Sequence, residues 1–250
     1  MSTPQIVYRR NVIEPIKCIS AAWAMVKEQY WLFVGMCAVG LLIGSAVPMG
    51  IVTGPMMCGL YISFFKSRRR QPFEFATLFK GFDYFGPSLV ATLLHVLPIL
   101  AIVIPAYLFF YVGMVLSVSV AAQSGEEPNP AAFFGVFGMF ILFWLVMIIV
   151  IIIISVGFTF AYPLIVDRKL SGLEAIKWSF KAAMGNFWRL LGMTLLTGLL
   201  GFGGLLLCYV GIFLVFPILY GSIAIAYEKV FGLSEEGDMI ANLPPPPPTF

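Results

Sequence analysis

Residues 131–165 contain no Asp, Glu, Lys, Arg or His. As helix, at 1.5 Å per residue, that run is about 50 Å long. No core of a 250-residue soluble protein can enclose it. The rest of the chain agrees: 60% of residues are hydrophobic and 11% charged, where a soluble domain carries about 25% charged residues. With a mean hydropathy of +0.97, lipid must serve as part of the solvent. Disordered and disulfide-framework classes are excluded by the same composition. Cys18, Cys37, Cys58 and Cys208 are scattered without a Cys-x-x-Cys pair and read as small hydrophobes.

The apolar runs predict an all-α membrane bundle of about six transmembrane helices. Residues 31–49 and 51–66 form a hairpin around Pro48, Gly50, Gly54 and Pro55. Residues 1–30 lack the apolar stretch and cleavage site of a signal peptide, so the run from Trp31 is expected to be retained as a span. Residues 86–122 hold Pro87, Pro98 and Pro105 and fit one long kinked helix or two short ones. Spans 131–165, 187–207 and 209–227 follow. Pro72 and Gly81 predict the limits of a short Phe-rich helix at the membrane surface.

Charge selects among the span counts. Basic segments stay cytoplasmic, and the N-terminal region, Lys66 to Arg70 and 168–189 are all basic, whereas 123–130 has two Glu and no Lys or Arg. With that loop outside, 86–122 crosses once. The expectation is six spans and both termini cytoplasmic, in a bacterial inner membrane. Domains follow as 1–30 with an amphipathic surface helix, 31–227 as the membrane domain, and 228–250 as a cytoplasmic Pro-rich tail.

Two stretches repeat a cadence. "QYWLFVGM" (29–36) and "NFWRLLGM" (186–193) align at an offset of 157, matching Trp31 with Trp188 and Gly35 with Gly192. Each follows residues of amphipathic period, from Ile13 to Tyr30 and from Leu173 to Phe187. Ser171 and Glu174 form a capping-box pair, with Asn11 and Glu14 as its counterpart in the first copy. "PMMCG" (55–59) and "PILYG" (217–221) share Pro-x-x-x-Gly. These predict duplicated hairpins in units of about 11–66 and 171–227, parallel rather than inverted. Trp23, Trp31, Trp188 and Arg189 are the expected interfacial anchors.

"PFEFATLFKGF" after the second span and "YPLIVDRKLSGLEAIKWSFKAAMGNFWRLLG" resemble uncharacterised prokaryotic multi-pass proteins. They are similar to the membrane domain attached to some glycerophosphodiester phosphodiesterases. The resemblance covers most of residues 10–230 and implies no activity or site residues. The soluble phosphodiesterase domain is absent from this sequence.

Ionisable residues kept at bilayer depth mark membrane enzymes and pumps. Away from their ends, the expected spans carry His95 alone, most simply a neutral hydrogen-bonding group, otherwise a proton relay or ligand contact. No nucleophile–base pair, phosphate loop or metal spacing is legible, so neither catalysis nor a metal, cofactor or nucleic-acid partner is expected. Gly40/Gly44 and Gly50/Gly54 match Gly-x-x-x-Gly, and Gly113 and Ser117 continue a small-residue row. Such rows serve packing within the chain or docking of another. Arg68, Arg69 and Arg70 set topology or touch anionic lipid. The expected role is a non-catalytic membrane subunit or scaffold, docking other membrane chains through these seams and the tail at Pro244 to Pro248. The alternative is a channel or transporter for an uncharged or lipid-like solute.

Overall fold

The computed structural model describes residues 7–46, 50–124, 130–206 and 210–234. These are helical with connecting turns and no strand. The helices are α1 (Pro15–Val26), α2 (Tyr30–Ala46), α3 (Thr53–Arg68), α4 (Phe85–Ser124), α5 (Pro130–Phe158), α6 (Ala161–Arg168), α7 (Gly172–Gly185), α8 (Phe187–Leu206) and α9 (Val210–Phe231). A 3-10 turn at Lys27–Gln29 joins α1 to α2, and a longer 3-10 segment spans Phe75–Tyr84. Pro48, Cys208, the residues 125–129 of the acidic loop, and the tail with Pro244 to Pro248 lie outside the described residues.

Five helical runs are long and apolar enough to cross a membrane, against the six expected. The difference is α3. Its 16 residues reach about 24 Å, short of a roughly 30 Å hydrocarbon core. Residues 86–122 lie within one helix, with Pro98 and Pro105 inside it.

The chain divides into two units, residues Met1–Leu93 with Val156–Phe250, and residues Leu94–Ser155. In the first, α3 is the buried axis, with every residue from Pro55 to Tyr61 enclosed. Glycines make this possible. A Cβ on Gly59 would collide with the carbonyl of Leu78, and one on Gly81 with the carbonyl of Pro55. The 3-10 segment therefore lies backbone to backbone along α3. This corrects the expected surface helix. Its start is set by Glu74 and Thr77 in a capping box, not by Pro72, and Gly81 is inside it rather than past its end. The outward Phe75, Phe79 and Phe82 remain exposed.

The glycine seams fill in the same way. Gly40 faces Leu78, Leu60 and Met56, Gly44 faces Thr53, and Gly54 faces Ser88 and Thr92. Gly50 takes a positive φ of 65° where the chain turns into α3. All four serve packing inside the chain.

The two halves of the expected repeat pack differently. Helix α1 runs along α9 and α8: Arg9 N–H donates to Val230 at 2.8 Å, the Tyr30 hydroxyl to Leu214 at 2.7 Å, and Arg189 Nη1 to Ile13 at 3.0 Å. Its buried face is Cys18, Ala22 and Val26, while Ile16 and Trp23 point outward. Helix α7 packs chiefly on α6, and its Ser179 hydroxyl donates to the Gly157 carbonyl at the end of α5 at 2.6 Å. Ser171 caps it as expected, accepting from Glu174 N–H at 3.4 Å and donating to the Glu174 carboxylate at 2.8 Å. Asn11, the proposed counterpart of Ser171, has a φ of 57° and is not the cap of α1, whose N-cap is Glu14 followed by Pro15.

In the second unit, Phe110 of α4 meets Phe140 of α5 at 4.5 Å between ring centroids, and Phe143 at 6.4 Å. Ser117 and Ser119 donate to carbonyls of their own helix, which satisfies these two hydroxyls without water.

Replacement of Gly59 by Ala inserts a methyl group against backbone, which cannot swing aside. Thermal unfolding of the detergent-solubilised protein is expected to lose about 3 kcal/mol or more, at or above the upper end of typical overpacking. Gly113, with nothing within 4 Å, tolerates Ala with a change under about 0.5 kcal/mol. Equal melting of the two variants would contradict the close approach.

Candidate functional site

Polar chemistry concentrates where the described chain ends meet, around Asp167 in the last turn of α6. Its side chain is fully buried. A carboxylate there needs several donors to offset lost hydration, and the fold brings them from three distant segments. Arg69 Nη2 donates to Oδ1 at 3.2 Å. The backbone N–H and the hydroxyl of Ser234 donate to the same oxygen at 3.1 and 3.0 Å. The Tyr227 hydroxyl donates to Oδ2 at 2.8 Å, and Arg168 Nε stands 3.2 Å from that oxygen as a charge neighbour. Arg168 Nη2 reaches the carbonyls of Phe231 and Gly232 at 3.1 and 3.2 Å. A carboxylate so saturated is a clasp between α6, α9 and the C-terminal cap of α3, not a general base.

Beside the clasp lies a recess of about 300 Å³. Its cationic walls are Lys66, Arg69, Lys80 and Lys169, with Asp83 and Asp167 as carboxylates and Gln71, Tyr84 and Ser234 as polar neutral groups. Lys169 ends α6 with a left-handed φ of 52°, an unfavourable conformation for a long side chain. All of these residues belong to the first unit.

The arginines expected to face lipid are largely engaged inside the protein. Arg68 makes a bidentate pair with Glu228, at 2.6 Å from Nε and 2.8 Å from Nη2. Arg69 holds Asp167 and also the Ser234 carbonyl at 3.2 Å. Arg70 is exposed, at a φ of 54°. The partners Asp167 and Glu228 lie far away in sequence, which is why a local reading of "KSRRR" cannot pair them.

Other sequence-predicted residues scatter. His95 is half-buried on α4 in the second unit, and Gly113 and Ser117 are on the same helix with open space around Gly113. Trp31 is 75% and Trp188 79% exposed, and different parts of α9 lie near them. Trp31 follows Tyr30, bonded to Leu214. Trp188 follows Asn186, whose amide donates to the Arg9 carbonyl at 3.1 Å, next to Val230. Trp23 packs edge-on against Tyr30. Arg189 ties Ile13 to α8 rather than reaching outward alone. Lys17 lies 2.6 Å from Glu14, and this hydrogen bond holds the exposed carboxyl below its usual pKa. Among the described residues, no three His, Cys, Asp or Glu side chains come together as a metal site.

The clasp was missed by sequence reading, although Asp167 is the first charge after the long apolar run and stands in the quoted "YPLIVDRK". Replacing Asp167 by Ala leaves the Arg69 and Arg168 guanidiniums without it in a half-buried site. A loss of about 3–5 kcal/mol is expected, read as thermal unfolding in detergent. Tyr227→Phe removes one donor of several and is expected to cost about 1.5 kcal/mol. An Asp167→Ala variant as stable as the parent would rule out the clasp.

Residues 15–232 match the model of the family described as "Protein of unknown function (DUF975)", and the chain belongs to that family. No curated protein and no solved structure matches it. Nothing in these comparisons links it to glycerophosphodiester phosphodiesterases.

Proposed function

We propose that this family member is a non-catalytic integral membrane subunit or scaffold, which docks another membrane chain through α4. The observation that carries the reading is the asymmetry of the small-residue seams. Gly40, Gly44 and Gly54 are filled from within, whereas Gly113 has no atom within 4 Å. Ser117, one turn on, is exposed, and Phe109 beside the row is 84% exposed. Close helix approach in lipid favours such small residues. Arg68, Arg69, Arg168, Asp167 and Glu228 are occupied in holding the fold, which fits a structural role.

The reading includes six crossings of a bacterial inner membrane, with α3 as a short one and both termini cytoplasmic. Supporting it, the described ends of the chain are joined by the bond from Arg9 to Val230, as an even number of crossings requires. The α2–α3 and α8–α9 hairpins are consistent with an ancestral duplication whose flanking helices have since diverged.

A lipid-like solute is the second reading. A groove of about 410 Å³ runs between α1 and α8, lined by Ile16, Ile19, Leu196, Leu199 and Leu200 with Ser20 as its polar group. Bulky replacement of Leu199 would block such a path and leave docking intact.

The deciding experiment is in-membrane crosslinking followed by purification of the full chain through an affinity tag. A second chain at fixed stoichiometry is expected, lost on Gly113→Leu and retained on Gly198→Leu, another glycine with open space. A monomer that crosslinks to nothing refutes the docking role.

A further inference from the structure

Two recesses join on the face shared by α1 and α8. The first, of about 480 Å³, is walled by Ile13, Glu14, Pro15, Ile16, Lys17 and Arg189. The second is the groove of about 410 Å³ along Ile19, Leu196, Leu199 and Leu200. Ile16 lines both, so they form one furrow with a charged mouth and an apolar floor. The helices close together at the mouth, where a Cβ on Gly192 would lie 3.8 Å from Pro15 Cγ. Beyond that contact Ile16, Leu196, Leu199 and Leu200 are exposed, so the furrow opens sideways. Leu200 lies 11 residues after Arg189, about 16 Å along α8. One leaflet of a roughly 30 Å hydrocarbon core has about the same depth. Trp188, exposed beside Arg189, marks the mouth as headgroup level. The mouth carries two cations, Lys17 and Arg189, against one carboxylate, Glu14. Lys17 stands 2.6 Å from Glu14. Arg189 Nη1 donates to the neutral carbonyl of Ile13 at 3.0 Å, which positions the guanidinium without cancelling its charge. Lys229 of α9 adds its field to the same corner, acting on Glu14 together with Lys17 and Arg189.

We infer that this furrow holds one acyl chain of an anionic glycerophospholipid, with the lipid phosphate on Arg189. The occupant must be apolar over the depth of one leaflet and negative at the end where Lys17 and Arg189 stand. A helix about 10 Å wide fills roughly 1,200 Å³ over that length, more than the two recesses together, whereas a single hydrocarbon chain is slimmer. A guanidinium has five N–H donors, and the Ile13 carbonyl takes one of them. Its planar fork suits two oxygens of a phosphate at once. Glu14 repels the headgroup and lowers the affinity. The inference rests on α8 crossing a bilayer and gives the groove of the second reading a resident occupant. It is independent of docking through Gly113 of α4, which belongs to the other unit of the chain.

Native mass spectrometry of the full chain, released from nanodiscs that mix phosphatidylcholine with phosphatidylglycerol, tests this by the lipid retained. Phosphatidylglycerol is expected to be retained in preference. Arg189→Gln is expected to cut that preference about tenfold, as loss of a charge-assisted bond implies. Glu14→Gln is expected to raise retention of phosphatidylglycerol, a gain that a damaged fold would not produce. Leu199→Trp fills the furrow and is expected to reduce retention of both lipids. Leu195→Trp, at an exposed position of α8 outside the furrow, and Arg70→Gln are expected to leave retention unchanged. Gly113→Leu, which tests docking, is expected to retain phosphatidylglycerol, so the two readings fail separately. Thermal melting in phosphatidylcholine alone checks that each variant is folded. Equal retention of the two lipids by the parent chain overturns the inference. So does an equal loss with Arg70→Gln, which would signify general surface charge, or with Leu195→Trp, which would signify general contact with lipid.

Discussion

The fold turns on a contact without side chains. Gly59 of α3 and Gly81 of the 3-10 segment let two backbones touch, so residues 75–84 press along α3 instead of lying apart from it. Helix α3 then has polypeptide around it where its length would leave it thin in lipid. This close approach also sets the site. It places Lys80 and Asp83 in one recess with Lys66 and Arg69, residues about two to three helical turns along from Gly59. Small residues are favoured for this work in membranes because dispersion contacts replace the hydrophobic drive.

The apolar architecture was legible in the sequence, because lipid imposes length and composition rather than a particular neighbour. Residues 86–122 forming one helix followed from charge on the flanking segments, and Ser171 with Glu174 announced the start of α7. Pairings between segments were not legible. Asp167 and Arg69 meet across 98 positions, and Arg68 and Glu228 across 160. In a chain with so few charges, each pairing is a tertiary choice that no local period records. The same holds for Gly81, which reads as a helix stop by position yet serves as a contact by packing.

The two copies of the Trp-containing cadence have different neighbours. Matching Trp31 with Trp188 assumes that the helices before them lie alike. Helix α1 instead packs on α9, with Arg9 bonded to Val230 and the Tyr30 hydroxyl to Leu214, whereas α7 packs chiefly on α6. Periodicity reported the apolar face of α1 as Ile13, Ile16, Ile19, Trp23, Val26 and Tyr30; Ile13 and Val26 are buried together with Cys18 and Ala22, whereas Ile16 and Trp23 face outward. In water the large apolar face would be the buried one. Among lipids the large side chains can face outward and the small ones admit the neighbouring helix, so a hydrophobic period locates a lipid-or-core face without distinguishing the two.

The division of cations at the chain ends follows the chemistry of the two basic residues. Arg68, Arg69 and Arg168 hold carboxylates or carbonyls, geometries that use a planar, multidentate guanidinium. Lys66, Lys80 and Lys169 line the recess beside the clasp. Interior charge is retained only where it is compensated. The arginines have their compensation within the chain.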